Sequence, residues 1–217
     1  MKAHIFDMDG TLLDSMGVWI DIDRALLKER GIDIPPDYDD YVKAIIPLRP
    51  LESAAYAAKF FNLDETPEDI ARQWDDRAFD SYSETILLKP GAKEYLQKLR
   101  SQDKKLAIAT SSPQHLCMAA CSNHGIRDIF DAICMSDEVK CGKDRPDVFL
   151  LAASRLGVDP KDCILYEDSL IAIRTAKSIG MTTCAVYDNS NKSSWEEMKA
   201  TADFAICDFE FEGELVC

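Results

Sequence analysis

Near its start the chain reads Phe6-Asp7-Met8-Asp9-Gly10-Thr11, two carboxylates, a glycine and a hydroxyl directly after an apolar run. Residues two apart on a regular strand share a face, so a continuing strand would point Asp7 and Asp9 the same way. Two carboxylates ~4 Å apart repel by ~4 kcal/mol at an effective dielectric of ~20. Repulsion of that size is tolerated where positive charge offsets it. Three later stretches carry related chemistry: Thr110-Ser111-Ser112, Gly142-Lys143 and Glu167-Asp168-Ser169. If all four stretches meet, the carboxylates of Asp7, Asp9, Glu167 and Asp168 demand a hard cation, and oxygen ligands suit Mg²⁺. Lys143 adds a fixed positive charge and Thr110 a hydroxyl donor. The N–H groups opening a helix after Ser112 suit an anion. Together these are the parts of a phosphoryl transfer: a charge clamp, an in-line nucleophile and a proton donor. One strand-end aspartate can attack while the other handles protons.

The elements around these stretches explain how they would meet. Apolar runs at residues 3–6, 105–110, 132–135, 163–167, 182–186 and 204–207 read as strands, and helical patterns separate them from residue 89 onward. Ser112-Pro113 predicts a helix start with proline in its first position. Strands alternating with helices predict right-handed crossovers and an α/β fold, a Rossmann-like doubly wound parallel sheet. Ligands of such sheets gather at the carboxyl ends of the strands, where each of the four stretches lies. Residues 15–87 differ: segments 18–30, 38–46, 51–62 and 67–81 have helical spacing with no strand between them. The expected division is a core of 1–14 and 88–217 with an all-helical insert of 15–87.

Composition narrows the partners. The net charge is −14, with no lysine–arginine cluster, which excludes nucleic acid and anionic membranes as expected partners. Residues 14–88 hold 17 acidic and 8 basic side chains, a net of −9, as expected of a solvated acidic helical surface. No run reaches the ~18 apolar residues of a membrane span, and no secretory signal is evident, so a cytoplasmic location is expected. The eight cysteines contain no Cys-x-x-Cys and are expected to be small buried hydrophobes, Cys117 and Cys121 included. The acidic tail, 208–214, is expected to be loosely ordered. The sequence does not reveal the oligomeric state, and a monomer is the default expectation.

The motifs resemble a known family. Asp7-Met-Asp-Gly-Thr11 followed by Leu12-Leu-Asp-Ser15 is similar to the first motif of the haloacid dehalogenase superfamily. Leu106-Ala-Ile-Ala-Thr110, Gly142-Lys-Asp-Arg-Pro-Asp147 and Tyr166-Glu-Asp-Ser169 resemble its later motifs, in order. A helical insert after the first motif resembles the cap of the β-phosphoglucomutase-like phosphatases. The resemblance implies a Mg²⁺-dependent phosphatase acting on a small phosphorylated metabolite, sugar phosphates among the candidates. It implies Asp7 as nucleophile forming an aspartyl-phosphate, and Asp9 as the acid that protonates the leaving oxygen and then activates water. Thr110 would bond the phosphoryl group and Lys143 would steady it, with Ser111 beside the substrate. Mg²⁺ would be held by Asp7, the Asp9 carbonyl, Asp168 and Glu167, the last directly or through water.

Other residues keep structural alternatives. Thr11 serves equally as a turn stabiliser, Ser169 as a helix N-cap and Asp147 as a loop anchor. Departures from the family pattern also inform. Asp9 argues against dehalogenation. Trp19 stands where β-phosphoglucomutases carry a histidine, which disfavours mutase chemistry, and Asp144 replaces a usual proline. Lys43 and Lys59 lack a context for imine chemistry. Arg49, in Pro47-Leu-Arg-Pro50, is a candidate for pairing a second anionic group of the substrate or for a surface ion pair. A phosphomutase, or a non-catalytic binding protein on the same scaffold, is the alternative.

Overall fold

Each apolar run forms a strand because the sheet buries it. β1 (Ala3–Phe6), β2 (Lys105–Thr110), β3 (Ala132–Met135), β4 (Cys163–Glu167), β5 (Thr182–Val186) and β6 (Phe204–Ile206) join in one sheet of order β3-β2-β1-β4-β5-β6. All of its pairings are parallel, as expected of an α/β doubly wound fold. The computed structural model describes residues 1–45 and 50–210. Its helices are α1 (Val18–Glu29), α2 (Tyr38–Ile45), α3 (Pro50–Phe60), α4 (Pro67–Glu84), α5 (Ala92–Ser101), α6 (Gln114–Asn123), α7 (Ser136–Val139), α8 (Asp147–Leu156), α9 (Leu170–Ser178) and α10 (Trp195–Thr201). None of the described helices is long and apolar enough to cross a membrane.

The chain falls into two compact units, Met1–Met16 with Ile86–Cys217, and Gly17–Thr85. In the first, β1 alternates between two buried layers. Ala3 and Ile5 pack with Phe149, Ala107 and Leu165. Phe6 stacks on Tyr166 at 4.4 Å between centroids and meets Tyr95, Phe130 and Phe209 on the other face. Sheet order reverses between β1 and β4, so their carboxyl ends open a crevice at the switch point. Phe6 pairs with Tyr166, and Asp7 and Glu167 therefore leave the sheet side by side. Cys117, Cys121, Cys134, Cys163 and Cys184 are buried free thiols as expected, whereas Cys141 is half-buried and Cys207 is exposed.

The second unit is four helices, α1 to α4. Thr66 caps α4 by accepting the Asp69 N–H at 3.1 Å, with Pro67 in the first turn, an arrangement worth about 1 kcal/mol. Its buried carboxylate, Asp23, accepts from the Tyr38 hydroxyl at 2.9 Å and the Tyr41 hydroxyl at 3.2 Å. Burial pushes the Asp23 carboxyl above the usual range.

Two local expectations differ from the structure. Proline 113 occupies the cap position of α6, and the helix begins at Gln114. The single-turn helix α7 lies where only a loop was expected; its four residues are too few to show a period. Residues 211–217, including most of the acidic tail, lie outside the described residues.

Candidate active site

The first motif is a turn, not an extension of the strand. β1 stops at Phe6, and Gly10 adopts φ +76° in the turn that follows. The Leu12 and Leu13 N–H groups both donate to the Met8 carbonyl, at 2.9 and 2.8 Å. This turn separates the two aspartates that a continuous strand would have aligned. Asp7 meets Lys143, whereas Asp9 accepts from Ser15 Oγ at 2.5 Å and from the Ser112 hydroxyl. The expected meeting of four carboxylates is therefore a meeting of three. Asp7, Glu167 and Asp168 each bring one oxygen within 4.8 Å of the others.

Lys143 sits against this trio with its side chain 12% exposed, bonded to Asp7 and to Glu167 Oε2, the latter at 2.8 Å. Burial disfavours its charge, but Asp7 and Glu167 outweigh that, and its pKa lies above the ordinary lysine value. Burial, then the charge of Glu167, pushes the Asp7 carboxyl up to about 7, against the opposing pull of Lys143. Burial and the charges of Glu167 and Asp7 likewise hold Asp168 well above the usual carboxylate range. Three carboxyls with one ammonium leave an excess of negative charge. Such all-oxygen donor sets suit a hard divalent cation, so the residues fit Mg²⁺.

The remaining candidates are spread around this centre. Buried Thr110 ends β2, and its Oγ1 accepts the Ser112 N–H at 3.0 Å. Exposed Ser111 pairs with the Ser136 hydroxyl at 3.0 Å. Thr11 donates to Asp168 Oδ1 at 3.4 Å. The Ser169 N–H donates to Glu167 Oε1 at 3.2 Å, and its side chain does not cap α9. Asp147 accepts from Arg145 Nε at 3.3 Å, a loop anchor as one alternative had it. Arg49 and the side chain of Lys43 lie outside the described residues. The sequence signals no bonding role for Ser15, Ser112 or Ser136, because serines near a motif are too common to mark one.

Gly10 has a demonstrable reason to be glycine. Its φ is positive, and a Cβ built there would overlap the Asp168 carboxylate. Gly10→Ala is expected to displace Asp168 and to weaken Mg²⁺ binding about 10-fold, read by calorimetric titration. Unchanged binding would show that Asp168 can yield without loss.

Comparison with known proteins finds relatives over most of the chain. A haloacid dehalogenase-like hydrolase profile matches residues 4–186. The phosphorylated carbohydrates phosphatase of Thermotoga maritima is 29% identical over 181 residues, covering 83% of this chain and 82% of that protein. Fructose-1-phosphate phosphatase YqaB of Escherichia coli is 30% identical over 180 residues, covering 82% and 92%. The crystal structure of CbbY from Rhodobacter sphaeroides in complex with phosphate superposes with a TM-score of 0.78 at 26% identity, covering 99% and 97%.

Proposed function

Because this chain belongs to the haloacid dehalogenase-like hydrolase family, we propose that it is a Mg²⁺-dependent phosphatase of a small phosphorylated metabolite, a sugar or polyol phosphate by the kinship of its relatives. The observation that carries this is the trio Asp7, Glu167 and Asp168 gathered against Lys143.

Asp7 is the nucleophile. Its carboxylate oxygen attacks phosphorus in line, the bond from phosphorus to the leaving oxygen breaks, and an aspartyl-phosphate forms. Asp9 gives its proton to the leaving oxygen. The ionised Asp9 then takes a proton from water, whose oxygen attacks phosphorus and releases Asp7 and inorganic phosphate. Ser15 and Ser112 hold the two oxygens of Asp9 for this exchange. Lys143 keeps Asp7 oriented and places positive charge beside the phosphoryl oxygens. Thr110, at the end of β2, would bond the phosphoryl group, with Ser111 beside the substrate. Asp7, Glu167, Asp168 and the Asp9 carbonyl would hold Mg²⁺, which would supply further positive charge beside the phosphoryl group. Residues 17–85 act as the cap that selects the substrate, with Arg49 the candidate within it.

The test is a panel of phosphorylated sugars and polyols with Mg²⁺. Phosphate release from at least one of them supports the assignment, and release that persists in excess chelator overturns it. A phosphomutase would instead need priming by a sugar bisphosphate and would form isomer faster than free phosphate. Trp19, in place of the histidine of that subfamily's mutases, weighs against this.

The carboxyl trio also sets a pH dependence. Asp7 titrates near 7 when folded, against ~4 when unfolded, so between those values the folded, metal-free protein binds more protons. Its stability therefore falls as pH rises through that window. The raised pKa of Lys143 has the same sign in a separate window: its contribution is complete at neutral pH and is lost as pH rises above the ordinary lysine range. Mg²⁺ competes with the protons on Asp7 and Asp168, so thermal melts should show a Mg²⁺-dependent rise in Tm that grows with pH. At ~100 times Kd the stabilisation is ~2.7 kcal/mol, or about 5–10 °C. A Tm insensitive to Mg²⁺ above neutrality would remove the cation from the site.

A further inference from the structure

Asp168 is held through its main chain as well as its side chain. Its carboxyl shares a hydrogen bond with Glu167 and receives a long one from Thr11 at 3.4 Å. Its carbonyl accepts from Asn191 Nδ2 at 3.1 Å. Asn191 is buried, and its Nδ2 also donates to the Val186 carbonyl at 3.0 Å while its Oδ1 accepts the Asp188 N–H at 3.2 Å. The β4–β5 ladder ends at Glu167 and Ala185, so this one amide staples the two strand ends just beyond it.

The staple has its own support. Asp188 Oδ1 accepts from Ser190 N–H at 2.8 Å and Ser190 Oγ at 2.7 Å, and Oδ2 accepts from Lys89 Nζ at 2.7 Å. Lys89 also donates to the Tyr187 carbonyl at 2.7 Å. The two charged side chains are 8% and 4% exposed, a depth at which losing either partner alone strands a charge. The Lys89 main chain donates to the Leu12 carbonyl at 2.8 Å. One lysine thus joins the segment after the first motif to the loop that fixes Asp168.

We propose that Asn191, braced by the Lys89–Asp188 pair, is a positioning residue for Asp168 and so sets the affinity of the site for a divalent cation. The proposal rests on the Mg²⁺ assignment above. The groups behind a ligating carboxylate help to set its orientation, and Asn191 holds the main chain of Asp168 from outside the carboxylate trio.

The test is calorimetric titration of the metal-stripped full chain with MgCl₂ at mildly alkaline pH, without substrate, beside the metal-free Tm. Asn191→Ala is expected to raise the Mg²⁺ Kd about 10-fold or more, while kcat at saturating Mg²⁺ stays within about 3-fold. The double variant K89M/D188N, which removes both charges and strands neither, is expected to raise Kd similarly, and Lys89→Arg to keep it near wild type. Folded Asn191→Ala protein with Kd within about 2-fold of wild type overturns the proposal, whatever its Tm, because a purely structural role would lower Tm alone. Should Asn191→Ala fail to fold, equal Kd values for K89M/D188N and Lys89→Arg overturn it. Wild-type protein that binds no Mg²⁺ overturns both this and the Mg²⁺ assignment, whereas wild-type binding with unaltered variants overturns this alone.

Discussion

Asp7→Asn protein is expected to lose phosphate release by about 10⁴-fold or more in kcat, the scale on which removal of a covalent nucleophile falls. The carboxamide has nearly the same shape but no charge with which to attack phosphorus. The same substitution should leave the metal-free protein as stable as wild type, or more so, above neutral pH. Burial and Glu167 make the charged form of Asp7 unfavourable in the folded chain, strongly enough to hold its carboxyl near 7. A neutral amide escapes that penalty. Loss of turnover with Tm unchanged or raised marks a site where stability has been given up for chemistry. Residual activity within about 100-fold of wild type would assign the nucleophile elsewhere. A lowered Tm would mean that Lys143 needs Asp7 more than Asp7 resists its own burial.

Lys143→Met should lower kcat/KM by about 10³-fold, comparable to the loss of a key electrostatic donor at a reacting centre. The methionine keeps most of the stem and removes the ammonium, which leaves Asp7 and Glu167 facing each other without the charge that now joins them. Lys143 lowers the proton affinity of Asp7, so its removal makes Asp7 harder to ionise. The acidic limb of the kcat/KM profile should accordingly move to higher pH. A profile that keeps its shape while falling in height would mean that Lys143 acts on the phosphoryl group and not through Asp7.

The sheet was legible in the sequence because its strands are buried on both faces. Every residue of Cys163–Glu167 is buried, as is all of Ala3–Phe6, and such strands read as unbroken apolar runs. Once the strands and their parallel order are expected, geometry brings Asp7, Lys143, Glu167 and Asp168 toward one edge. The details of the turn were not legible. The strand's end at Phe6 was legible, but nothing in residues 3–9 announces that Asp9 turns to Ser15 and Ser112. Asn191 lay deeper still, 23 residues beyond Asp168, in a loop whose asparagines and serines look like any solvent-facing turn. Hydrogen bonds across such separations follow no period, so a single sequence carries no trace of them.

The path into and out of residues 17–85 has a consequence for how this protein can change. Leu13 bridges Leu88 in antiparallel fashion, the Asp14 N–H donates to the Leu87 carbonyl at 3.0 Å, and the Lys89 N–H to the Leu12 carbonyl at 2.8 Å. The two crossings form a neck that is closed before the intervening helices begin. A segment attached by such a neck is a graft: it can be exchanged for another of different length, or trimmed to a short turn, without rerouting a single strand. Heredity can then shuffle what hangs from the neck while the carboxylates behind it stay as they are.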